Sequence, residues 1–147
     1  MNWTTLLRFR KQVEDLAREG VVLAEWEKSQ EVTTREELNH EMGMVVTELE
    51  QQIQMGIDTL AAEERYQWLD QLGVAMEERT QQIQQLEKSL VGLREKLKKA
   101  YHARRVVELV IAKKEAAVLK KVAEQEQRIQ EDISAHTFAT CHHEEMT

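Results

Sequence analysis

Read at alternating steps of three and four, the stretch from Leu69 to Val118 gives Leu69, Leu72, Met76, Arg79, Ile83, Leu86, Leu90, Leu93, Leu97, Ala100, Arg104, Val107, Ile111, Lys114 and Val118. Eleven of these fifteen are Leu, Ile, Val or Met and one is Ala; Arg79, Arg104 and Lys114 are the exceptions. The phase holds for seven heptads. A 3.5-residue repeat sustained that far specifies a helix that supercoils around another helix, not one resting on a globular core. One helix cannot bury its own stripe in water. The rest of the chain must supply a partner.

Composition leaves little room for another architecture. The 147 residues include no proline and five glycines, aromatics are 5% and charged residues 32%. Long uninterrupted helices suit that mixture, whereas a thick interior lacks material. The fold class expected is all-α: a long antiparallel two-helix coiled-coil hairpin with the second helix longer than the first. Cys141, the single cysteine, cannot close an internal disulfide. Met1–Arg8 lacks the pattern of a secretory signal. No apolar run approaches the roughly 20 residues of a membrane span, and Val106–Ala112 is already interrupted by Glu108. A soluble cytoplasmic protein is expected.

Along the chain, Asn2 or Thr4 can cap a first helix. Leu6, Phe9, Val13, Leu16, Gly20 and Leu23 follow the 3,4 spacing, which weakens through 28–35 and resumes at Leu38, Met42, Val45, Leu49 and Ile53. The two runs are displaced by about one residue, which reads as a stutter in a continuous helix. The alternative is a break at Thr33-Thr34-Arg35-Glu36, which fits a capping box. Met55-Gly56-Ile57-Asp58-Thr59 is the best turn. The expected layout is a single hairpin over 1–135, with helix one at 3–55, a turn at 56–58 and helix two at 59–134. Residues 136–147 lose the period and read as a disordered tail. A turn near 57 pairs residues whose numbers sum to about 114, so Leu97 faces residue 17 and Ile111 faces residue 3. From about Lys113 onward the second helix then has no intrachain partner.

Charge is sorted along the chain. Net charge is −7, made of +3 over 1–13, −12 over 14–93, +7 over 94–121 and −5 over 122–147. Most such charges merely solvate a helix surface; segregation by sign also suits an acidic partner for the basic part.

No catalytic machinery is recognisable: there is no glycine-rich phosphate loop, HExxH, CxxC or GxSxG. His136, Cys141, His142, His143, Glu144 and Glu145 cluster in the tail without i, i+4 spacing to organise them, so no metal site and no cofactor are expected. The chain reads as no enzyme, with no small-molecule substrate. Its acidic balance and the absence of a dense basic helix argue against nucleic acid. One place is wider in apolar character than a two-stranded seam requires. Trp68, Leu72, Ala75 and Arg79 (i, i+4, i+7, i+11) form a stripe beside Leu69 and Met76. It is either covered by a further contact within the chain or is a partner site anchored by the aromatic.

The chain resembles the FliJ family of flagellar export proteins and, more distantly, YscO-type proteins of virulence type III secretion. The resemblance runs nearly the whole length. It rests on Leu6-Leu7-Arg8-Phe9-Arg10-Lys11, the Gly56 turn, Tyr66-Gln67-Trp68-Leu69, Arg104-Arg105-Val106-Val107-Glu108-Leu109, Glu124-Gln125-Glu126 and Glu131-Asp132-Ile133. The family often has Asp-Glu where this chain has Glu131-Asp132, and its members are often less acidic. The resemblance implies an antiparallel coiled coil similar to the central shaft of rotary ATPases. Its partners would be a FliI-like hexameric export ATPase, an FlhA-like export gate and export chaperones, at the inner face of the cell membrane at the flagellar base. The family's gate-contact stripe maps onto Trp68, Leu72, Ala75 and Arg79, the last departing from the usual residue type. For the ATPase ring the basic residues Arg8, Arg10, Lys11, Arg104, Arg105, Lys113 and Lys114 are the candidates, with no motif fixing them individually. The alternatives are a virulence-secretion stalk of the YscO type and a generic coiled-coil scaffold or adaptor.

Overall fold

A computed structural model describes the backbone of residues 2–146 and the side chains of 2–141. Two helices account for it: α1, Trp3–Met55, and α2, Thr59–Met146. No strand occurs among the described residues. α2 is the longer, 88 residues against 53. The segment from 136, expected to leave the helix, stays helical to Met146. The reason is local: no proline or glycine follows Gly92, and losing the seam period removes a packing partner without introducing a helix breaker. The chain divides into two compact units, Gln12–Tyr101 and Met1–Lys11 with His102–Thr147. They are called below the hairpin unit and the terminal unit.

The hairpin unit is built on its turn. Gly56 has φ 87°, the left-handed region open to glycine at no steric cost. Its N–H donates to the Ile53 carbonyl at 3.2 Å, and the Ile57 N–H reaches back to the Gln52 carbonyl at 3.0 Å. This 6→1 plus 5→2 pair is a Schellman motif, which satisfies the carbonyls that the end of α1 would otherwise leave bare. Asp58 follows as the residue before α2, its carbonyl accepting from the Ala62 N–H at 3.0 Å.

On α2, Leu72, Ile83, Leu90 and Ala100 are buried while Leu69, Met76, Leu86, Leu93 and Leu97 are half-buried, so the seam read from spacing is the one that packs. On α1 the outcome differs. The structure buries Glu14, Ala17, Val21 and Ala24, and leaves Leu16 and Leu23 exposed at 67% and 57%. From Ala17 the same steps run on through Val21, Ala24, Lys28, Glu31, Arg35, Leu38, Met42, Val45 and Leu49, all of them buried or half-buried. No stutter exists, and α1 is unbroken. Thr33 and Thr34 lie inside the helix, where their hydroxyls donate to the Ser29 and Gln30 carbonyls at 3.0 Å each.

Volume explains the choice of face. α2 presents Leu90, Leu93 and Leu97 here, and Val21, Ala24 and Leu90 form the buried cluster against which Leu93 and Leu97 pack. Small residues opposite large ones let two helices close up at interior density, whereas Leu against Leu throughout would hold them apart. Gly20 shows how near the approach is, since a Cβ there would meet Leu93 Cδ2 at 3.7 Å.

Cross-helix pairing follows the expected sum. Gly20 with Leu93 and Glu48 with Arg65 (3.2 Å) both total 113, and Lys28 meets Glu87 at 3.4 Å. The polar seam residues have identifiable partners. Arg79 is half-buried and reaches both oxygens of Glu31, at 3.0 and 3.2 Å, across the helix pair. Glu14, buried at 4% exposure, accepts from Arg18 one turn on at 3.0 Å. Such pairs add little net energy but penalise a shifted register, which would strand a half-buried charge.

In the terminal unit Asn2 caps α1, its Oδ1 accepting from the Thr5 N–H at 3.2 Å. Val107 is buried, and Leu6, Leu7, Ala103, Val110 and Ile111 are half-buried. Lys114 sits over the Trp3 ring, 4.5 Å from its centroid, which gives the last charged seam position a cation–π partner. From Ala112 to Cys141 every side chain of α2 is exposed.

Candidate functional site

All seven cations singled out from the sequence belong to the terminal unit. They differ in what holds them. Arg8, Lys11 and Lys113 are exposed and make no ion pair among the described residues. Arg10 is half-buried, its guanidinium 5.9 Å from the centroid of the Phe9 ring and its Nε buried without a hydrogen-bond partner. Arg104 and Arg105 converge on one carboxylate: Arg104 donates to Glu108 Oε1 at 2.6 Å and Arg105 to Oε2 at 3.0 Å. The hydrogen bond from Arg105, followed by that from Arg104, holds the Glu108 carboxyl below the ordinary carboxylate range. Both arginines are therefore fixed to an ionised partner at neutral pH. Lys114 is engaged by Trp3.

The surroundings reinforce the charge. Over 1–11 and 102–121 the unit carries nine Lys and Arg against Glu108 and Glu115, a net of +7, and residues 122–147 carry −5, which leaves the whole unit at +2. The hairpin unit carries ten Lys and Arg against nineteen Asp and Glu, a net of −9. A polyanionic surface would therefore be drawn to the 1–11 and 102–121 part of the terminal unit and repelled by the hairpin unit.

The stripe Trp68, Leu72, Ala75 and Arg79 divides between surface and interior. Trp68 is 43% exposed, and Ala75 is half-buried. Leu72, at 6%, belongs to the core between the helices, and Arg79 is committed to Glu31. The contact surface on offer is thus Trp68 with the edge of Ala75.

A second apolar surface escaped the sequence reading. With Ala17, Val21 and Ala24 turned inward, Leu16, Val22, Leu23 and Trp26 stand on the outer face of α1, each more than half exposed. Asp15, Arg18 and Glu19 join Val22, Leu23 and Trp26 around a shallow groove there. The signal was present in the spacing: once 17, 21 and 24 are joined to 38, 42 and 45 without a slip, Leu16 and Leu23 fall off the seam.

Nothing in this arrangement resembles a reaction centre. Among the described residues no three His, Cys, Asp or Glu side chains are placed to hold a metal ion. His142, His143, Glu144 and Glu145 of the tail cluster lie outside the residues whose side chains are described. No helix is long and apolar enough, among the described residues, to cross a membrane.

A family model described as the flagellar FliJ protein matches residues 3–141. The chain belongs to the FliJ family. Its α1–turn–α2 architecture is thereby that of a coiled-coil protein of flagellar export, and the resemblance noted in the sequence is upheld. No curated protein and no solved structure matched the chain. FliJ membership associates it with the flagellar export apparatus, in a family whose members are structural and chaperone-like and not enzymatic.

Proposed function

We propose that this FliJ-family chain is the central stalk and cochaperone of the export machinery, with the terminal unit engaging a FliI-like ATPase hexamer. The hairpin unit would reach an FlhA-like gate, and export chaperones would be further partners at the cytoplasmic face of the membrane. The observation that carries the reading is the gathering of all seven candidate cations in one unit of net positive charge, while the other unit is strongly acidic. A single coiled coil within a sixfold ring contacts its subunits unequally. It can therefore bias which subunit is in which nucleotide state without performing chemistry itself, because it binds those states differently.

The experiment is hydrolysis of ATP by the export ATPase of the same organism, with and without this protein. Stimulation of turnover or of hexamer formation is expected at stoichiometric addition. Unchanged turnover and unchanged oligomeric state would reject the stalk, leaving a passive scaffold.

For the gate, Trp68 is the anchor. Trp68→Ala should weaken binding to the isolated gate protein by about tenfold, the usual loss for a truncated aromatic anchor. Helicity should be unchanged and the melting temperature lowered by no more than about 3 °C, because much of the side chain is solvent-exposed. Leu72→Ala should act in the opposite sense, lowering stability first. A Trp68→Ala chain that binds the gate like the parent would remove this site from the proposal.

A further inference from the structure

Two of the apolar surfaces exposed among the described residues carry opposite charge. The first is the outer face of α1, where Leu16, Val22, Leu23 and Trp26 are exposed at 67, 58, 57 and 59%. Residues 15–27 carry Asp15, Glu19, Glu25 and Glu27 against Arg18 alone, a net of −3. Arg18 is already engaged, donating to Asp15 at 3.4 Å and Glu14 at 3.0 Å. Glu25 is paired with Arg94 of α2 at 3.2 Å, so a helix that docked here would find apolar contacts and the exposed carboxylates of Glu19 and Glu27.

The second surface is the part of α2 beyond Ile111. Val118, Leu119 and Val122 are exposed at 61, 70 and 45%. Val118, Lys121 and Val122 stand at i, i+3 and i+4 and share one helix face, with Leu119 beside it. Residues 113–123 carry Lys113, Lys114, Lys120 and Lys121 against Glu115, a net of +3. Each surface is about three helical turns long. A helix with this mixture of valine, leucine and lysine is what the acidic apolar face of α1 would take.

We infer that the chain self-associates through these two surfaces, the 113–123 segment of one copy lying on the Leu16–Trp26 face of a second copy. α2 continues unbroken from Thr59 to Met146, so this segment is part of a continuous helix. The alternative of two such segments pairing with each other brings lysine-rich parts together and leaves Trp26 uncovered, whereas the heterologous contact covers both apolar surfaces and matches charge. The inference goes beyond the stalk reading and does not depend on it. It has a consequence for it, because an associated copy has Lys113 and Lys114 occupied and cannot present them elsewhere. The contact is small and should be weak, forming at concentrations on the order of 10–100 µM.

Sedimentation equilibrium of the full chain under reducing conditions tests it. The parent should move from 17.2 kDa toward multiples of that mass as concentration rises through this range. Leu23→Glu alone, and Val118→Glu with Val122→Glu, should each weaken association at least tenfold with no change in helicity, since these positions are exposed. The deciding step is to mix the two variants. Each keeps the surface the other has lost, so a one-to-one complex should reappear. A parent chain monomeric to 200 µM would overturn the inference. A Leu23→Glu chain that associates like the parent would also overturn it, showing that the α2 segments pair with each other. A mixture that stays monomeric would exclude the heterologous contact.

Discussion

Leu90→Ala should cost about 3 kcal/mol of unfolding free energy, and Leu16→Ala less than about 0.5 kcal/mol, although both are leucines on apolar-rich helix stretches. Leu90 is 2% exposed and sits in the cluster with Val21 and Ala24, with Leu93 and Leu97 packed against it. Between two packed helices, a methylene lost at that depth has few neighbours able to move into the gap, so the cavity term adds to the transfer term. Leu16 is 67% exposed, and truncating it removes surface that is already wet. Urea unfolding followed by circular dichroism measures both. The midpoint should fall sharply for Leu90→Ala with the slope preserved, and stay near the parent value for Leu16→Ala. Equal losses in the two variants would mean that α1 packs through Leu16 and Leu23 after all.

That contrast also marks where the sequence was legible. On α2 between Leu69 and Leu97 every leucine, with Met76 and Ile83, lies on one buried or half-buried face, so hydrophobic period and packing agree there, and the seam could be read from spacing alone. On α1 between Leu6 and Trp26 two faces compete, one holding Leu16, Leu23 and Trp26 and the other Ala17, Val21 and Ala24. Side-chain size favours the first. Which face turns inward depends on the volume already supplied by Leu90, Leu93 and Leu97, a property of the partner helix that no window along α1 contains. The apparent stutter near 28–35 was a by-product of the same misreading, because Lys28, Glu31 and Arg35 are seam positions that do not look apolar. Glu87 and Arg79, the partners of Lys28 and Glu31, lie on α2. The Gly56 turn was legible because positive φ is a local requirement. The stripe at Trp68 was legible only in part: the spacing located it, but the wide apolar face could not show that Leu72 is the member that points inward.

Reversing charge at Arg8, Lys11 and Lys113 together should weaken binding to the export ATPase by roughly 10- to 100-fold at 0.1 M salt, with folding unaffected. The choice among the seven cations follows from their surroundings. Arg104 and Arg105 are held by Glu108, so replacing them with Glu would set three carboxylates within one helical turn and perturb α2 itself. Arg10 is half-buried, and Lys114 helps to seat Trp3. Arg8, Lys11 and Lys113 are exposed and make no ion pair among the described residues, so Glu at each changes the field without removing a structural contact. Three reversals shift the terminal unit by six charges, taking the net over 1–11 and 102–121 from +7 to +1. An acidic surface on the ring would then lose most of its attraction. The loss should appear first in the association rate and shrink as salt is raised, because the Debye length falls from about 10 Å at 0.1 M to about 3 Å at 1 M. Surface plasmon resonance at several ionic strengths separates rate from affinity, with a matched reversal of the exposed Glu41, Glu63 and Glu77 in the acidic hairpin unit as the comparison. If the triple variant binds and stimulates the ATPase like the parent while the acidic-unit variant does not, the ring contacts the hairpin unit, and the assignment of the terminal unit to the ATPase is wrong.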